Sequence, residues 1–176
     1  MATTGLLWAV HHDFLRYMSR IEDGQVAVVD GAQQLPDRGF RFPVVDEDGT
    51  AAHDGAAEQV ARFRGAVACT GHHGLLAVTI AAPSLIRHDE SMAVLGIDDP
   101  FAPGQRMPMA ELQASPQDPA QFTAVLTEEG ADLFQGVYPT GMALAPVRLQ
   151  QDPTDTQHSS AAVTAGSSIP STEDLS

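Results

Sequence analysis

Two adjacent histidines, His72 and His73, stand between Gly71 and Gly74 in the stretch "FRGAVACTGHHGLLAVTI". Imidazole can ligate a metal, hold a proton near neutral pH or donate a hydrogen bond. The flanking glycines let the backbone turn sharply and let a bulky partner come close. A tight hairpin with two polar residues at its tip has the same sequence pattern. Spacing alone therefore leaves both interpretations open.

The other residues that could do chemistry form no familiar set. A zinc site needs three or four ligands, and neighbouring histidines on a strand point to opposite faces. His11 and His12 could join the His72 pair, but no carboxylate or thiol spacing completes a zinc set.

The single cysteine, Cys69, excludes an internal disulfide, and we expect it to be buried in a strand. The serines lie in no G-x-S-x-G turn, so hydrolase activity has no support. Three more histidines are expected in solvated segments: His53, His88 and His158.

The first element expected to position these residues is a helix. Apolar residues recur every four positions from Leu6 to Met18, which predicts an amphipathic helix over residues 4–18. Thr4 is its expected N-cap, and the "EDG" at residues 22–24 is expected to end it.

Short apolar segments separated by Gly, Pro and Asp follow the helix and predict strands. They are "QVAVVD", "GFRFPVV", "VARFRGAVACT", "LLAVTIAAP", "MAVLGI" and "QFTAVLTEEG". A further helical turn is expected near residues 127–137. The prediction is a mostly β protein: an antiparallel β-sandwich or barrel-like domain with a short N-terminal helix and few other helical turns. We expect this domain over residues 1–149 and a disordered Ser/Thr/Ala/Pro-rich tail over residues 150–176.

Charge and hydropathy exclude several classes of partner. The formal net charge is −14, from 23 acidic residues against nine arginines. Nucleic acid and anionic lipid are therefore disfavoured, since both bind basic surfaces. The N-terminal residues lack the basic region of a secretory signal, and no apolar stretch reaches the roughly 18 residues of a membrane span. As written, the sequence predicts a cytoplasmic protein, or an exported one if residues before Met1 are missing.

Three blocks occur in an order that is specific to one family. They are the helix "GLLWAVHHDFLRYM", the pair of strands "FRGAVACTGHHGLLAVTIAAPSL" and the late segment "FQGVYPTGMALAPVRL". Together they resemble the heme-transport-associated (HtaA) domain family over about residues 5–149. That family shows W-x-V-x-x-S-F-x-x-Y, then F-x-G-x-V-x-F-T-G-H-x-G-x-L, then Y-x-x-G-x-x-L-x-P-V.

The resemblance implies a heme-binding protein, not an enzyme, that carries, stores or transfers ferric heme b. Carried over by position, Tyr17 is the iron ligand, as a tyrosinate, and His72 donates a hydrogen bond to its oxygen. His73 would point to the other side of the strand. Phe14 and Met142 are further residues expected to contact heme. The implied partner is heme, with another heme-transfer protein as a further candidate, and the oligomeric state is undefined. Two alternatives stay open: a tyrosinate-heme enzyme acting on peroxide, and a β adaptor domain that binds no heme.

The sequence departs from the family helix at Asp13, where the family has serine. A serine hydroxyl can donate to a heme propionate, whereas a carboxylate repels one unless it is protonated or paired with Arg16 or Arg20. Asp13 precedes Tyr17 by four residues and so shares its helix face. Restoring the serine is therefore expected to tighten heme binding.

Overall fold

The computed structural model describes residues 2–53 and 56–152. Within them the chain forms twelve strands and two short α-helices. In chain order the elements are β1 (Thr3–Trp8), α1 (His12–Met18), β2 (Gln25–Val29), β3 (Gln33–Gln34), β4 (Phe40–His53), β5 (Ala56–Phe63), β6 (Ala66–Gly71), β7 (Leu76–Ala81), β8 (Ser84–Arg87), β9 (Met92–Asp98), β10 (Arg106–Ala114), β11 (Gln121–Leu126), α2 (Glu128–Leu133) and β12 (Ala143–Gln151).

Eight antiparallel strands close into a barrel. The order is β1-β12-β11-β10-β9-β8-β5-β4, and β1 also pairs with β4, so the sheet has no free edge between them. The closing strand places Trp8 opposite Val147 on one side and Phe40 on the other. Trp8 is 2% exposed, and its indole N–H donates to the carbonyl of Ala145 at 2.9 Å. The prediction of a mostly β, barrel-like fold is confirmed.

A second sheet of three strands, ordered β2-β6-β7, lies beside the barrel. The segment 60–70 predicted as one strand is in fact two, β5 in the barrel and β6 in the second sheet. They separate at Gly65, whose φ is 106°, and a Cβ at this position would lie 2.4 Å from the backbone nitrogen of Ala32. The chain returns to the barrel at Ala82, whose amide donates to the Gly65 carbonyl at 2.8 Å. The pair β6–β7 therefore projects from the barrel as a hairpin.

The predicted start of the first helix is wrong. Residues 3–8 form strand β1 and the helix begins at His12, because Leu6 and Trp8 alternate into the barrel core. Val10, with φ of 58°, breaks the chain between the two elements. The N-cap is His11 rather than Thr4, and its Nδ1 accepts the backbone N–H of Phe14 at 3.1 Å.

The helical turn expected near residues 127–137 is present as α2, capped by the Thr127 hydroxyl. Strands β3, β8, β10 and β12 lie in segments for which the sequence predicted no element, and the strand predicted over residues 121–130 ends at Leu126, before α2 begins. Strand β12 continues to Gln151, two residues past the predicted domain end, and residues 153–176 of the predicted tail lie outside the described residues. In the part of the chain that is described, no helix is long and apolar enough to cross a membrane.

Candidate functional site

Tyr17 and His72 meet although they are 55 positions apart in the chain. The Tyr17 hydroxyl lies 2.6 Å from Nε2 of His72. A neutral phenol would donate to this nitrogen, whereas a phenolate would accept from an Nε2–H. Tyr17 does not belong to the buried face of α1: it is 46% exposed, while Phe14 and Met18 on the same helix are buried. Helix α1 thus packs through one face and presents the phenol oxygen on the other.

His72 lies in a sharp turn between β6 and β7, residues His72–Gly74, which we call the histidine turn. Three consecutive residues there have left-handed backbone, with φ of 52° at His72, 57° at His73 and 87° at Gly74. The two histidines lie at the tip of the β6–β7 hairpin, which is one of the two interpretations that the spacing left open. The side chain of His73 is 96% exposed, as expected for a residue that faces away from Tyr17.

Asp23 joins the histidine turn to the segment after α1. Its two carboxylate oxygens accept the backbone N–H groups of His72 at 3.0 Å and His73 at 2.5 Å. These hydrogen bonds, the one from His73 first, lower the pKa of the Asp23 carboxyl. From the sequence, Asp23 was expected only to help end a helix, since an acidic residue before glycine is typical of a turn.

A cavity of about 440 Å³ opens beside the Tyr17 oxygen, and we call it the Tyr17 cavity. Its lining is mostly apolar and aromatic: Phe14, Tyr17, His72, Leu75, Leu76, Phe134, Gln135, Val137 and Tyr138. Leu75 is 81% exposed and Val137 70% exposed, so large apolar side chains stand in solvent at its edge. Apolar cavities with a few convergent polar groups are typical ligand sites.

Aromatic rings form the inner wall of the Tyr17 cavity. Phe134 packs edge-on against Phe14 at 5.1 Å and against Tyr138 at 5.2 Å between ring centroids. Behind them His11 is 7% exposed, with its ring 4.7 Å from that of Tyr138. Burial lowers the pKa of His11 and raises the pKa of Tyr138, whose ionised form is further disfavoured by Asp13 and Tyr17. These ring contacts hold the inner wall of the cavity in place.

The structure separates the five residues predicted to contact heme. Tyr17, His72 and Phe14 line the Tyr17 cavity, whereas Asp13 and Met142 are not among its lining residues. Asp13 has a side chain that is 69% exposed, and its carboxylate lies 3.1 Å from Arg16 Nη1. Met142 is partly buried against the barrel core, and its carbonyl accepts the backbone N–H of Leu126.

Several lining residues were not predicted as site residues. Leu75, Gln135 and Tyr138 are brought to Tyr17 by the histidine turn and by the segment after α2, which are distant in sequence. Tyr138 had a signal, since it opens the third family block. Leu75 had a weaker signal: it is an apolar residue directly after the turn glycine, where an exposed polar residue would be expected.

Other candidate chemistry is not supported by the geometry. Among the side chains that the structure describes, those of residues 2–45 and 59–152, no three of His, Cys, Asp or Glu lie close enough together to hold a metal ion. Cys69 is buried, as expected, and burial raises the pKa of its thiol to about 11. A thiol with that pKa is a poor nucleophile at neutral pH.

Comparison with known proteins identifies the family. The family model described as Htaa matches residues 3–150, most of the chain. The chain belongs to the HtaA family. This confirms the resemblance inferred from the three sequence blocks. No curated protein sequence matches the chain.

Solved structures similar to this chain include three from Corynebacterium glutamicum. The N-terminal domain of HtaA is 22% identical, with a TM-score of 0.68 over 86% of this chain and 98% of that domain. The C-terminal domain of HtaA is 20% identical, with a TM-score of 0.61 over 84% of this chain and 95% of that domain. The heme-binding protein HtaB is 20% identical, with a TM-score of 0.61 over 84% of this chain and 91% of that chain. At these identities the likeness shows that the HtaA fold is shared.

Proposed function

We propose that this protein binds ferric heme b through the phenolate of Tyr17, with His72 donating a hydrogen bond to the ligand oxygen. The observation that carries the proposal is the 2.6 Å contact between an exposed phenol oxygen and an imidazole at the edge of an apolar cavity. Membership of the HtaA family, and the likeness to a heme-binding protein, HtaB, support the choice of heme.

The donor set fits ferric heme. A free phenol has a pKa of about 10 and ligates poorly at neutral pH unless a cation and a hydrogen-bond donor stabilise its anion. Heme supplies the cation when it is bound, since Fe(III) is a hard Lewis acid that prefers an anionic oxygen ligand. His72 supplies the donor, because its Nε2 already lies within hydrogen-bond distance of the phenol oxygen. Charge-assisted hydrogen bonds of this kind are worth about 1.5–3 kcal/mol.

The Tyr17 cavity fits a flat apolar macrocycle. Its volume of about 440 Å³ lies in the range of small-molecule sites, roughly 300–1,000 Å³. Phe14 and Tyr138 supply aromatic faces and edges on the inner side. Leu75 and Val137, exposed at the edge, would be covered by a bound porphyrin. A ligand seated there keeps one edge in solvent, where propionates are best hydrated.

We propose carriage or storage of heme rather than catalysis. A peroxide-handling enzyme needs an acid–base pair across the heme from the tyrosinate, such as His with Asn. Apart from Tyr17 and His72, the polar side chains that line the cavity are those of Gln135 and Tyr138. Neither is a good proton donor and acceptor at neutral pH, and burial raises the pKa of Tyr138 further. A peroxide-turnover assay on the heme-loaded protein tests this, and turnover well above that of free hemin would contradict it.

The two tyrosines of the chain give a matched test of the ligand. Tyr17→Phe deletes the ligand oxygen at an exposed position, so we expect the phenolate-to-iron charge-transfer absorption to disappear while the melting temperature of the apo protein hardly changes. Tyr138 lines the same cavity, and the Tyr138→Phe variant should keep this absorption. Hemin titration followed by visible spectroscopy measures both. If the charge-transfer absorption persists in Tyr17→Phe, Tyr17 is not the iron ligand. If the absorption is lost only in Tyr138→Phe, Tyr138 is the ligand instead.

A further inference from the structure

The histidine turn has a backbone conformation that needs outside support. His72 and His73 both have positive φ, and residues with a Cβ adopt this region only at a cost in free energy. Only the third residue of the turn, Gly74, is free of that cost. The conformation nevertheless decides where the His72 imidazole points, because it sets the direction of the Cα–Cβ bond.

Asp23 supplies that support. Two successive backbone N–H groups that converge on one point form an anion-binding concavity, and the Asp23 carboxylate fills it with one oxygen on each. The carboxylate also lies 3.7 Å from Nδ1 of His73. Hydrogen bonds from backbone N–H groups to an ionised carboxylate are stronger than those between neutral groups. The Asp23 carboxylate therefore stabilises the backbone conformation of the histidine turn.

Asp23 is itself fixed relative to Tyr17. The carbonyl of Tyr17 accepts the backbone N–H groups of Arg20 at 2.9 Å and Ile21 at 3.2 Å, which continue α1 into a compact turn. Gly24 closes that turn so tightly that a Cβ there would lie 2.2 Å from the Met18 carbonyl oxygen. One rigid segment thus carries both the phenol that contacts the imidazole of His72 and the carboxylate that holds its backbone.

We infer that Asp23 is a positioning residue that sets the distance between the Tyr17 oxygen and His72 Nε2. This inference rests on the proposed function, since it concerns the same pair of residues. Asp23 is not among the residues that line the Tyr17 cavity, and its carboxylate binds the backbone of the histidine turn, so it acts on the pair through that backbone.

The test compares two aspartates whose carboxylates each accept two backbone N–H groups in a turn. Asp23→Asn keeps the size of the side chain but replaces one acceptor oxygen by an NH₂ group and removes the charge. Asp89→Asn is the matched control: Asp89 also accepts two backbone N–H groups in a turn, those of Ser91 and Met92, and is not among the residues that line the Tyr17 cavity. We expect Asp23→Asn to release hemin to apomyoglobin on the order of tenfold faster, as for groups that orient metal ligands. Asp89→Asn should release it at the parent rate.

Two further measurements separate positioning from general destabilisation. In a His72→Ala background, adding Asp23→Asn should change the release rate by less than about twofold, because residues in one network are not additive. In the apo protein, the ¹⁵N resonance of His72 Nε2 should move towards that of a free imidazole in Asp23→Asn only. If Asp23→Asn does not fold, the same comparison is made with His73→Gly added to it and to its parent, which removes the strain at residue 73.

The inference is overturned if Asp23→Asn retains hemin like the parent, if both asparagine variants release it equally fast, or if the effect persists in full without His72. Failure of the proposed function looks different. In that case Tyr17→Phe leaves the hemin spectrum unchanged, while the apo His72 resonance still reports whether Asp23 orients the imidazole.

Discussion

At the residue scale, Asp13 is the position at which this chain departs from its family, and the structure gives it a partner. Its carboxylate pairs with Arg16 one turn along α1, and both side chains are largely exposed. Exposed ion pairs of this kind contribute about 0–1 kcal/mol, but each partner cancels much of the other's field. Asp13 is therefore a weaker obstacle to a propionate than an isolated carboxylate would be.

We expect Asp13→Ser to slow hemin release only slightly, by less than about fivefold, which is the upper end for an exposed charge pair. The gain should be largest at low ionic strength, where screening is weakest. Release to apomyoglobin at several salt concentrations measures it. Arg16→Gln is the control: it leaves Asp13 without its cation, so release should become faster. Faster release from Asp13→Ser at every salt concentration would mean that the carboxylate is a favourable part of the site.

The sequence predicted some residues of the site and missed others for identifiable reasons. The histidine turn follows from two glycines around a histidine pair, a local signal. The pairing of Tyr17 with His72 came from the family resemblance, because nothing in a spacing of 55 residues predicts a contact. Asp23 was missed since its bonds go to backbone groups, which every residue carries and no sequence pattern marks.

At the scale of elements, α1 depends on an unusual cap. His11 accepts the Phe14 N–H through Nδ1, which requires that this nitrogen carry no proton. Burial lowers the pKa of His11, with a smaller opposing effect of Asp13 and a further lowering by His12. The folded state thus favours the neutral imidazole of His11, which is the form that can cap the helix.

The stability of the apo protein should therefore fall on mild acidification. The pKa of His11 is lower in the folded state than its ordinary value of 6.5, so below about pH 6.5 the unfolded chain binds more protons. The contribution of neutral His11 to the free energy of unfolding is complete above pH 6.5 and is lost as the pH falls through the lowered pKa of His11. Loss of a cap costs about 1 kcal/mol, or about 2–4 °C in Tm for a chain of this size. Thermal melts from pH 7.5 to 5 measure the slope.

Substitution identifies the residue responsible for that slope. His11→Asn keeps a capping oxygen that does not titrate, so its melting temperature should depend less on pH even if it is lower throughout. His12→Asn changes the exposed neighbour and should keep the parent slope. If His12→Asn flattens the curve and His11→Asn does not, the cap is not the group that titrates.

Errors in the predicted elements arose where two periodicities compete. From Leu6 to Met18 a four-residue spacing fits a helix, but Leu6 and Trp8 also alternate as in a strand, and the barrel selects the strand. Likewise the apolar run over residues 60–70 fits one strand until Gly65 turns the chain into another sheet. In both cases tertiary packing decided between patterns that the local sequence allowed.

At the scale of the whole molecule, the charge of −14 opposes the approach of hemin, whose two propionates are also negative. We expect the rate of hemin association to rise with ionic strength, because salt screens repulsion between like charges. Stopped-flow mixing of apo protein with monomeric hemin measures this rate. Hemin with esterified propionates is the control and should show little salt dependence. A rate that falls with salt would indicate a local basic entry that outweighs the net charge.

The closing strand β1 has a consequence for how the chain reaches its folded state. It pairs with β4 nearby in sequence and with β12, where Thr4 meets Gln150 across 146 positions. The barrel therefore cannot close on a ribosome until almost the entire domain has emerged, and its contact order is high, which slows folding. The contacts of α1 with the β6–β7 hairpin span far fewer residues. We expect the Tyr17–His72 pair to form early in synthesis and the wall behind it to be completed last.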